Sequence, residues 1–71
     1  MSVNQSGYNF SIDVAKVAGA LRQRAVEAVR GGGIVSAIYT RKSLETKKMV
    51  QSFSIALQGS RIVRVTIEVI E

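Results

Sequence analysis

One amphipathic stretch, residues 14–30, followed by three consecutive glycines at 31–33, constrains the fold more than any other feature of this chain. Its apolar residues recur at intervals of three and four, which places them on one stripe of an α-helix with polar residues opposite. Asp13 is the expected N-cap, because its carboxylate can accept a backbone N–H at the positive end of the helix. The glycines end the helix, since Gly adopts the left-handed C′ conformation without steric cost. The apolar stripe consists of Val14, Val17, Ala18, Leu21, Ala25, Ala28 and Val29.

Three segments have the composition or the alternation of β-strands. Residues 8–12 alternate apolar and polar side chains, which predicts a short strand before the helix, and residues 1–6 are polar and expected to be flexible. Residues 33–39, GIVSAIY, carry apolar groups at both parities, as a central strand does. Residues 61–71, RIVRVTIEVIE, alternate most clearly. There Val63, Val65, Ile67 and Val69 form one face, and Arg64, Thr66 and Glu68 form the other.

The segment MVQSFSIALQG, residues 49–59, fits two structures. As a strand it places Phe53 and Ile55 on one face and Ser52 and Ser54 toward solvent, and QGS forms a hairpin turn into the last strand. In the helical alternative, the helix that contains this segment has Ser43 as its N-cap and Gly59 as its C′ residue. Its mixture of serine with aromatic and β-branched residues favours the strand.

These elements predict a single small α+β domain spanning residues 1–71. With 49–59 as a strand, one amphipathic helix packs on one face of a single-layer, mostly antiparallel sheet in the order β-α-β-β-β. With 49–59 as a helix, the fold is a two-layer β-α-β-α-β sandwich. In both cases the basic segment TRKSLETKK, residues 40–48, connects the strand at 33–39 to the element that follows it.

The short length of the chain limits the core that either fold can build. A protein of 71 residues buries only about 60% of the surface that its unfolded chain exposes. Small domains are usually stabilised further by disulfides, a metal or a partner. The chain contains no Cys and no His, which excludes disulfides and Cys-based zinc sites and removes the commonest metal ligand. Self-association is the source of stability that remains, and we expect no metal and no cofactor.

The pattern of reactive residues is not that of an enzyme. Without His or Cys the usual general base and the usual activated nucleophile are missing, and the acidic residues are scattered. The glycines at 31–33 follow a helix and precede a strand, whereas phosphate-binding glycines lie between a strand and the helix that follows it. We therefore expect a protein without catalytic activity.

The overall charge makes nucleic acid the first partner to consider. The formal net charge is +5, and the sequence pI is about 10.3. Such a charge raises the local concentration of polyanions around a protein. No run approaches the roughly 18 apolar residues of a membrane span, and the N-terminus lacks the features of a signal peptide. We expect a cytoplasmic protein that does not associate with membranes.

The basic residues are densest at 41–48, directly after Tyr39. A loop with this charge can follow a phosphate backbone, because each neutralised phosphate releases condensed counterions. If residues 51–65 form a hairpin, Arg61 lies at its turn and Arg64 lies on its open face. The alternative is that these charges only keep a loop soluble. The candidate nucleic-acid-binding residues are Tyr39, Arg41, Lys42, Lys47, Lys48, Arg61 and Arg64.

Two families share the predicted order of elements. With 49–59 as a strand, GYNFSID, GIVSAIY and VQSFSIALQGSRIVRV, spanning residues 7–65, resemble the β-α-β-β-β part of ribosome-associated hibernation factors. With 49–59 as a helix, the order is similar to the start of the archaeal chromatin protein Alba. Both resemblances imply binding to nucleic acid.

Two hypotheses of different classes follow. The first is a non-catalytic nucleic-acid-binding or ribosome-associated module that makes charge-based contacts to the backbone, with RNA and DNA not distinguished. The second is a protein-interaction or assembly subunit that acts through sheet-edge pairing or homo-oligomerisation, with inhibition of a nucleic-acid enzyme as one form of it. The strand at 61–71 is the natural edge for such pairing.

Overall fold

The computed structural model describes residues 11–70, which form one helix and a four-stranded antiparallel sheet. The predicted α+β class, with one helix on a single sheet, is confirmed, and the helical alternative for 49–59 is wrong. Most of the strand predicted at 8–12 lies outside the described residues, and its last residue, Ile12, begins the helix instead. The elements are α1 (Ile12–Ala28), β1 (Gly33–Val35), β2 (Tyr39–Lys42), β3 (Met49–Leu57) and β4 (Arg61–Ile67).

The N-cap of α1 is Ser11, and the prediction of Asp13 is wrong by two residues. Ser11 has an extended backbone (φ −66°, ψ 160°), and its Oγ accepts the backbone N–H of Val14 at 3.3 Å. Asp13 lies in the first turn, where a carboxylate still interacts favourably with the positive end of the helix dipole. At the other end the helix stops at Ala28 with Val29 as C-cap, so the predicted C′ position of the glycines is wrong by one residue. Gly31, two residues after the cap, does adopt a left-handed φ of +87°.

β3 is the central strand of the sheet. Ser52 of β3 pairs with Tyr39 of β2 on one edge and with Thr66 of β4 on the other. β1 pairs with the second half of β3, and β2 pairs with the first half along that same edge. The turn at 58–60 joins β3 to β4 as predicted, with positive φ at Gly59 and Ser60.

The strand predicted at 33–39 is divided into two by a β-bulge. Val35 is opposite Ile55 and Tyr39 is opposite Ser52, so the three residues 36–38 oppose only two residues of β3. A shift of one residue moves every following side chain to the other face of a sheet. Val35 and Tyr39, which an uninterrupted strand at 33–39 would place on one face, therefore lie on opposite faces. Arg41 and Lys42 belong to strand β2 rather than to a loop.

Side chains hold the bulge in place. The backbone N–H of Ser36 donates to the Ser54 carbonyl at 2.8 Å, and the Ser54 N–H donates to the Ser36 hydroxyl at 2.9 Å. Arg22 of α1 donates through Nε to the Ser36 carbonyl at 2.7 Å and through Nη2 to the Val35 carbonyl at 3.3 Å. These bonds satisfy backbone groups that a bulge leaves outside the regular ladder.

The two faces of the sheet have different environments. A Cβ placed on Gly33 would lie 2.9 Å from Cβ of Val29, so this position faces α1. Gly33 is opposite Leu57, and the odd-numbered residues of β3 therefore form the helix-facing side. Phe53 shares this parity and is fully buried, as is Ala18 of α1. The other parity forms the open face, where Val50 and Ser52 are fully buried. The predicted solvent position of Ser52 is therefore wrong.

α1 covers only part of the helix-facing side, because it packs against β1 and β3. Of the predicted apolar stripe only Ala18 is fully buried, whereas Val17 and Leu21 remain 52% and 44% exposed. Within residues 11–70, no helix has both the length and the apolar character needed to cross a membrane.

We expect opposite effects from alanine at two glycines. Gly33→Ala would place a methyl group 2.9 Å from Cβ of Val29 and 3.2 Å from the Ala56 carbonyl, so it should destabilise the protein by about 1–3 kcal/mol. Gly19→Ala, within α1 and with no atom outside the local helix backbone within 4 Å of the new methyl, should stabilise it by about 1 kcal/mol. Urea unfolding followed by circular dichroism measures both. A Gly33→Ala variant as stable as the unmodified protein would contradict the close approach of α1 to β1.

Candidate functional site

A cluster of polar side chains occupies the middle of the open face. Two basic residues and a tyrosine surround three hydroxyl side chains on three neighbouring strands, and we call this group the Arg–Tyr cluster. It is set by register: Tyr39, Ser52 and Thr66 are directly opposite one another, and Arg64 is opposite Ser54. The Arg–Tyr cluster consists of Tyr39, Arg41, Ser52, Ser54, Arg64 and Thr66.

Arg41 lies across the sheet and is held at two points. Its Nε donates to the Ser52 hydroxyl at 3.0 Å, and its Nη2 donates to the Thr66 hydroxyl at 3.0 Å. The two hydroxyl oxygens are themselves 3.3 Å apart. A guanidinium has five N–H groups, so two fixed bonds leave the rest of the planar group free to meet a ligand. The side chain is thus ordered before any ligand arrives, which lowers the entropic cost of binding.

Tyr39 stands between the two arginines and is 38% exposed. Its hydroxyl lies 3.3 Å from the Ser54 hydroxyl, and either oxygen can donate. The hydrogen bond with Ser54 is the main cause that lowers the pKa of Tyr39 from its ordinary value of 10.0, while partial desolvation opposes this effect. The positive charges of Arg64 and Arg41 lower the pKa of Tyr39 further. Two positive charges thus lie close enough to affect the ionisation of the phenol, and positive potential is the property that an anion-binding surface requires.

The remaining candidate residues are not brought to this cluster. Lys42 is opposite Met49 and has the helix-facing parity, as does Arg61, which is opposite Leu57. Met49 and Leu57 end the nine-residue strand β3, so they are roughly 26 Å apart at about 3.3 Å per residue. The seven residues named from the sequence therefore do not form one continuous surface, and three of them, Tyr39, Arg41 and Arg64, lie together.

Lys47 and Lys48 belong to an ordered turn between β2 and β3. The Ser43 hydroxyl accepts the backbone N–H groups of Glu45 and Thr46 at 3.3 Å, and the Ser43 carbonyl accepts that of Lys47 at 2.9 Å. Ser43 thus caps a single turn, not the helix considered for this segment. Lys47 and Lys48 are exposed, together with Glu45. Their placement is that of a solvated turn at one end of the sheet.

The three hydroxyl residues of the cluster were not among the candidate residues. The sequence does carry a signal for them. Ser52 and Ser54 are two positions apart in β3, as are Arg64 and Thr66 in β4, so each pair points to one face of its strand. The hairpin at 58–60 brings these two alternations onto one face. These alternations predict a shared polar face only when the pairing register of the two strands is known.

Comparison with protein-family models, with curated proteins and with solved structures found no match. The resemblance to the start of Alba required a helix at 49–59, and this segment is strand β3 instead. The resemblance to ribosome-associated hibernation factors stays one of element order. The functional argument therefore depends on the geometry of the Arg–Tyr cluster.

We expect the ionisation of Tyr39 to depend on Arg64 specifically. The chain contains two tyrosines, Tyr8 and Tyr39, so Tyr8→Phe leaves a single phenol to titrate. In that background Tyr39 should ionise below 10.0, and Arg64→Gln should raise its pKa because a neighbouring positive charge is removed. Near-ultraviolet absorbance against pH measures this.

The matched control is Arg61→Gln, which makes the same charge change on the helix-facing side of β4. It should leave the pKa of Tyr39 nearly unchanged. An equal effect of Arg61→Gln and Arg64→Gln would mean that net charge alone, and not the cluster, governs the phenol.

Proposed function

We propose that this chain is a non-catalytic module that binds the phosphate backbone of nucleic acid through the open face of its sheet. The observation that carries the proposal is the held position of Arg41, bonded to Ser52 and Thr66 beside Tyr39. Arg64 adds a second guanidinium on the same face. A net charge of +5 supplies the long-range attraction that brings a polyanion to this surface.

Arginine suits phosphate better than lysine does in this position. The planar guanidinium presents its N–H groups as a fork that matches two phosphate oxygens, and it is more weakly hydrated than an ammonium. Arg41 already has its plane fixed by two bonds to the sheet. Tyr39 and Ser54 add hydroxyl groups that can donate to phosphate or sugar oxygens. The cluster therefore suits a defined contact with the phosphate backbone better than flexible, separate basic side chains would.

The open face offers little means of reading bases. Single-stranded bases are usually recognised by stacking on several aromatic side chains. Among residues 11–70 the aromatics are Tyr39, which is exposed, and Phe53, which is buried on the helix-facing side. We therefore propose binding with little sequence preference, to RNA or DNA, in the cytoplasm and with ribosomal RNA as one accessible form of such a backbone.

The other basic candidates have a secondary role in this proposal. Lys42, Lys47, Lys48 and Arg61 lie away from the Arg–Tyr cluster and add to the positive field around the protein. Contacts from exposed basic side chains are screened by salt and are individually weak. We propose that they raise the rate of association, whereas Arg41 and Arg64 determine how the backbone lies on the sheet.

Salt titrations test this function. A fluorescently labelled single-stranded RNA and a DNA duplex should both bind, with log Kobs falling linearly against log salt concentration. Arg64→Gln should reduce the slope by about 0.9 on the duplex and about 0.7 on the single strand, because one phosphate contact is lost. The loss should be similar for oligonucleotides of different sequence.

Arg61→Gln serves as the control, since it removes the same charge away from the cluster. It should weaken binding less than Arg64→Gln does. Circular dichroism confirms that each variant is folded. The absence of salt-sensitive binding at low ionic strength, or equal losses for the two variants, would refute a contact surface at the cluster.

A further inference from the structure

The two edges of the sheet differ in how open they are to another strand. The β1–β2 edge is interrupted by the bulge at 36–38, and Arg22 occupies the carbonyls of Val35 and Ser36. Bulges and covered backbone groups are the means by which proteins prevent strands from adding to an edge. β4 runs for seven residues without a bulge, and within residues 11–70 its pairing is with β3 alone. Five of its seven residues are β-branched, which favours pairing.

Apolar surface borders the β4 edge on both faces. On the helix-facing side α1 covers β1 and β3, and Val63 remains 43% exposed. Val17 of α1 lines an open groove with Ile67 and Val69, and Leu21 lies one helical turn further along. On the open face Ile62 is 72% exposed. An occupant of this edge must therefore supply both a strand and an apolar layer beside it.

We infer that the occupant is a second copy of this chain, whose β4 pairs antiparallel with the first β4 about a two-fold axis perpendicular to the sheet. Such an axis keeps like faces together, so each copy supplies a strand and a helix on the same side. It brings the exposed Val17, Leu21 and Val63 of both copies to one seam. Few of residues 11–70 are fully buried, and this seam adds the apolar burial that small domains need.

The charges on β4 and the number of residues that pair together favour one register, because an axis at Thr66 would align only residues 65–67 of the two β4 strands. An axis at Arg64 would place two guanidinium groups directly opposite each other, which is destabilising. An axis at Val63 would place Arg61 opposite Val65 on the helix-facing side. With the axis at Val65, Val63 is opposite the second copy's Ile67, and Arg64 is opposite its Thr66. This register makes apolar pairs on the helix-facing side and a polar pair on the open face, and it is the one that we assign.

The inference is independent of the proposed function, because it rests on the β4 edge and its apolar borders. Its consequence is a sheet of twice four strands with both Arg–Tyr clusters on one face. The dimer can therefore form without nucleic acid, and nucleic acid can bind a monomer, so either proposal can fail while the other holds.

Single cysteines in a chain that has none test the register. Opposite residues in an antiparallel pair have Cβ atoms about 4.5–5.5 Å apart, close to disulfide distance. Val65→Cys should therefore form a covalent dimer on mild oxidation, seen on a non-reducing gel at about twice 7.7 kDa. Val63→Cys and Arg64→Cys should stay largely unlinked. Equal cross-linking at all three positions would overturn the register and indicate random collision.

Light scattering tests the dimer itself, without oxidation. The unmodified protein should have a mass of twice 7.7 kDa at high concentration. Val63→Lys, which adds a charge to the seam, should raise the dimer dissociation constant at least about tenfold. Ile34→Lys makes a matched change at an exposed residue of β1 and should leave the constant unchanged. A strict monomer at high concentration, or equal dissociation by the two lysine variants, would overturn the inference.

Discussion

The Ser36 hydroxyl accepts a hydrogen bond that a backbone carbonyl would accept in a regular sheet, and the rest of the structure depends on this bond. It accepts the Ser54 N–H at 2.9 Å, which allows one extra residue to enter the edge strand without an orphaned donor. The extra residue changes the parity of everything that follows in β2. Tyr39 and Arg41 consequently project from the open face, where the hydroxyls of β3 and β4 meet them. Without the bulge, Ile38 and Thr40 would lie opposite Ser52 and Val50, and no held guanidinium would exist.

The same bulge links α1 to the sheet by polar contacts where apolar burial is scarce. Arg22 reaches the Ser36 and Val35 carbonyls, so a charged donor meets groups that the interrupted ladder leaves free. Hydrogen bonds to a charged group contribute about 1.5–3 kcal/mol each, comparable to burying one aliphatic side chain. The described core has few fully buried apolar residues, namely Ala18, Val50 and Phe53. Arg22 thus stabilises the fold and also blocks the addition of a strand at the β1–β2 edge, which leaves β4 as the open edge.

Elements with a hydrophobic pattern that repeats over many residues could be predicted from the sequence. Features that depend on a single hydrogen bond or on a few backbone angles could not. α1 and the hairpin at 58–60 follow from long alternations and from glycine conformations, which local physics determines. Ser11 and Asp13 are equally good caps by type, so only the backbone angles decide between them. The bulge carries no glycine or other local signal, and it places Tyr39 on the face opposite to the one that an uninterrupted strand at 33–39 would give it. The bond from Arg41 to Thr66 spans 25 residues, so no local pattern could have indicated it.

Charge sets a limit on how the open face and the β4 edge can act together. Two copies that each carry +5 repel one another, so apolar burial along β4 must exceed that repulsion for a dimer to form alone. Salt weakens the repulsion between copies and also weakens the attraction to a polyanion, so it moves the two equilibria in opposite directions. A nucleic acid that spans both clusters would neutralise charge on both copies and would bind the dimer more tightly than the monomer. By linkage such a ligand would stabilise the dimer by the same free energy, since any ligand that prefers one state shifts the equilibrium toward it.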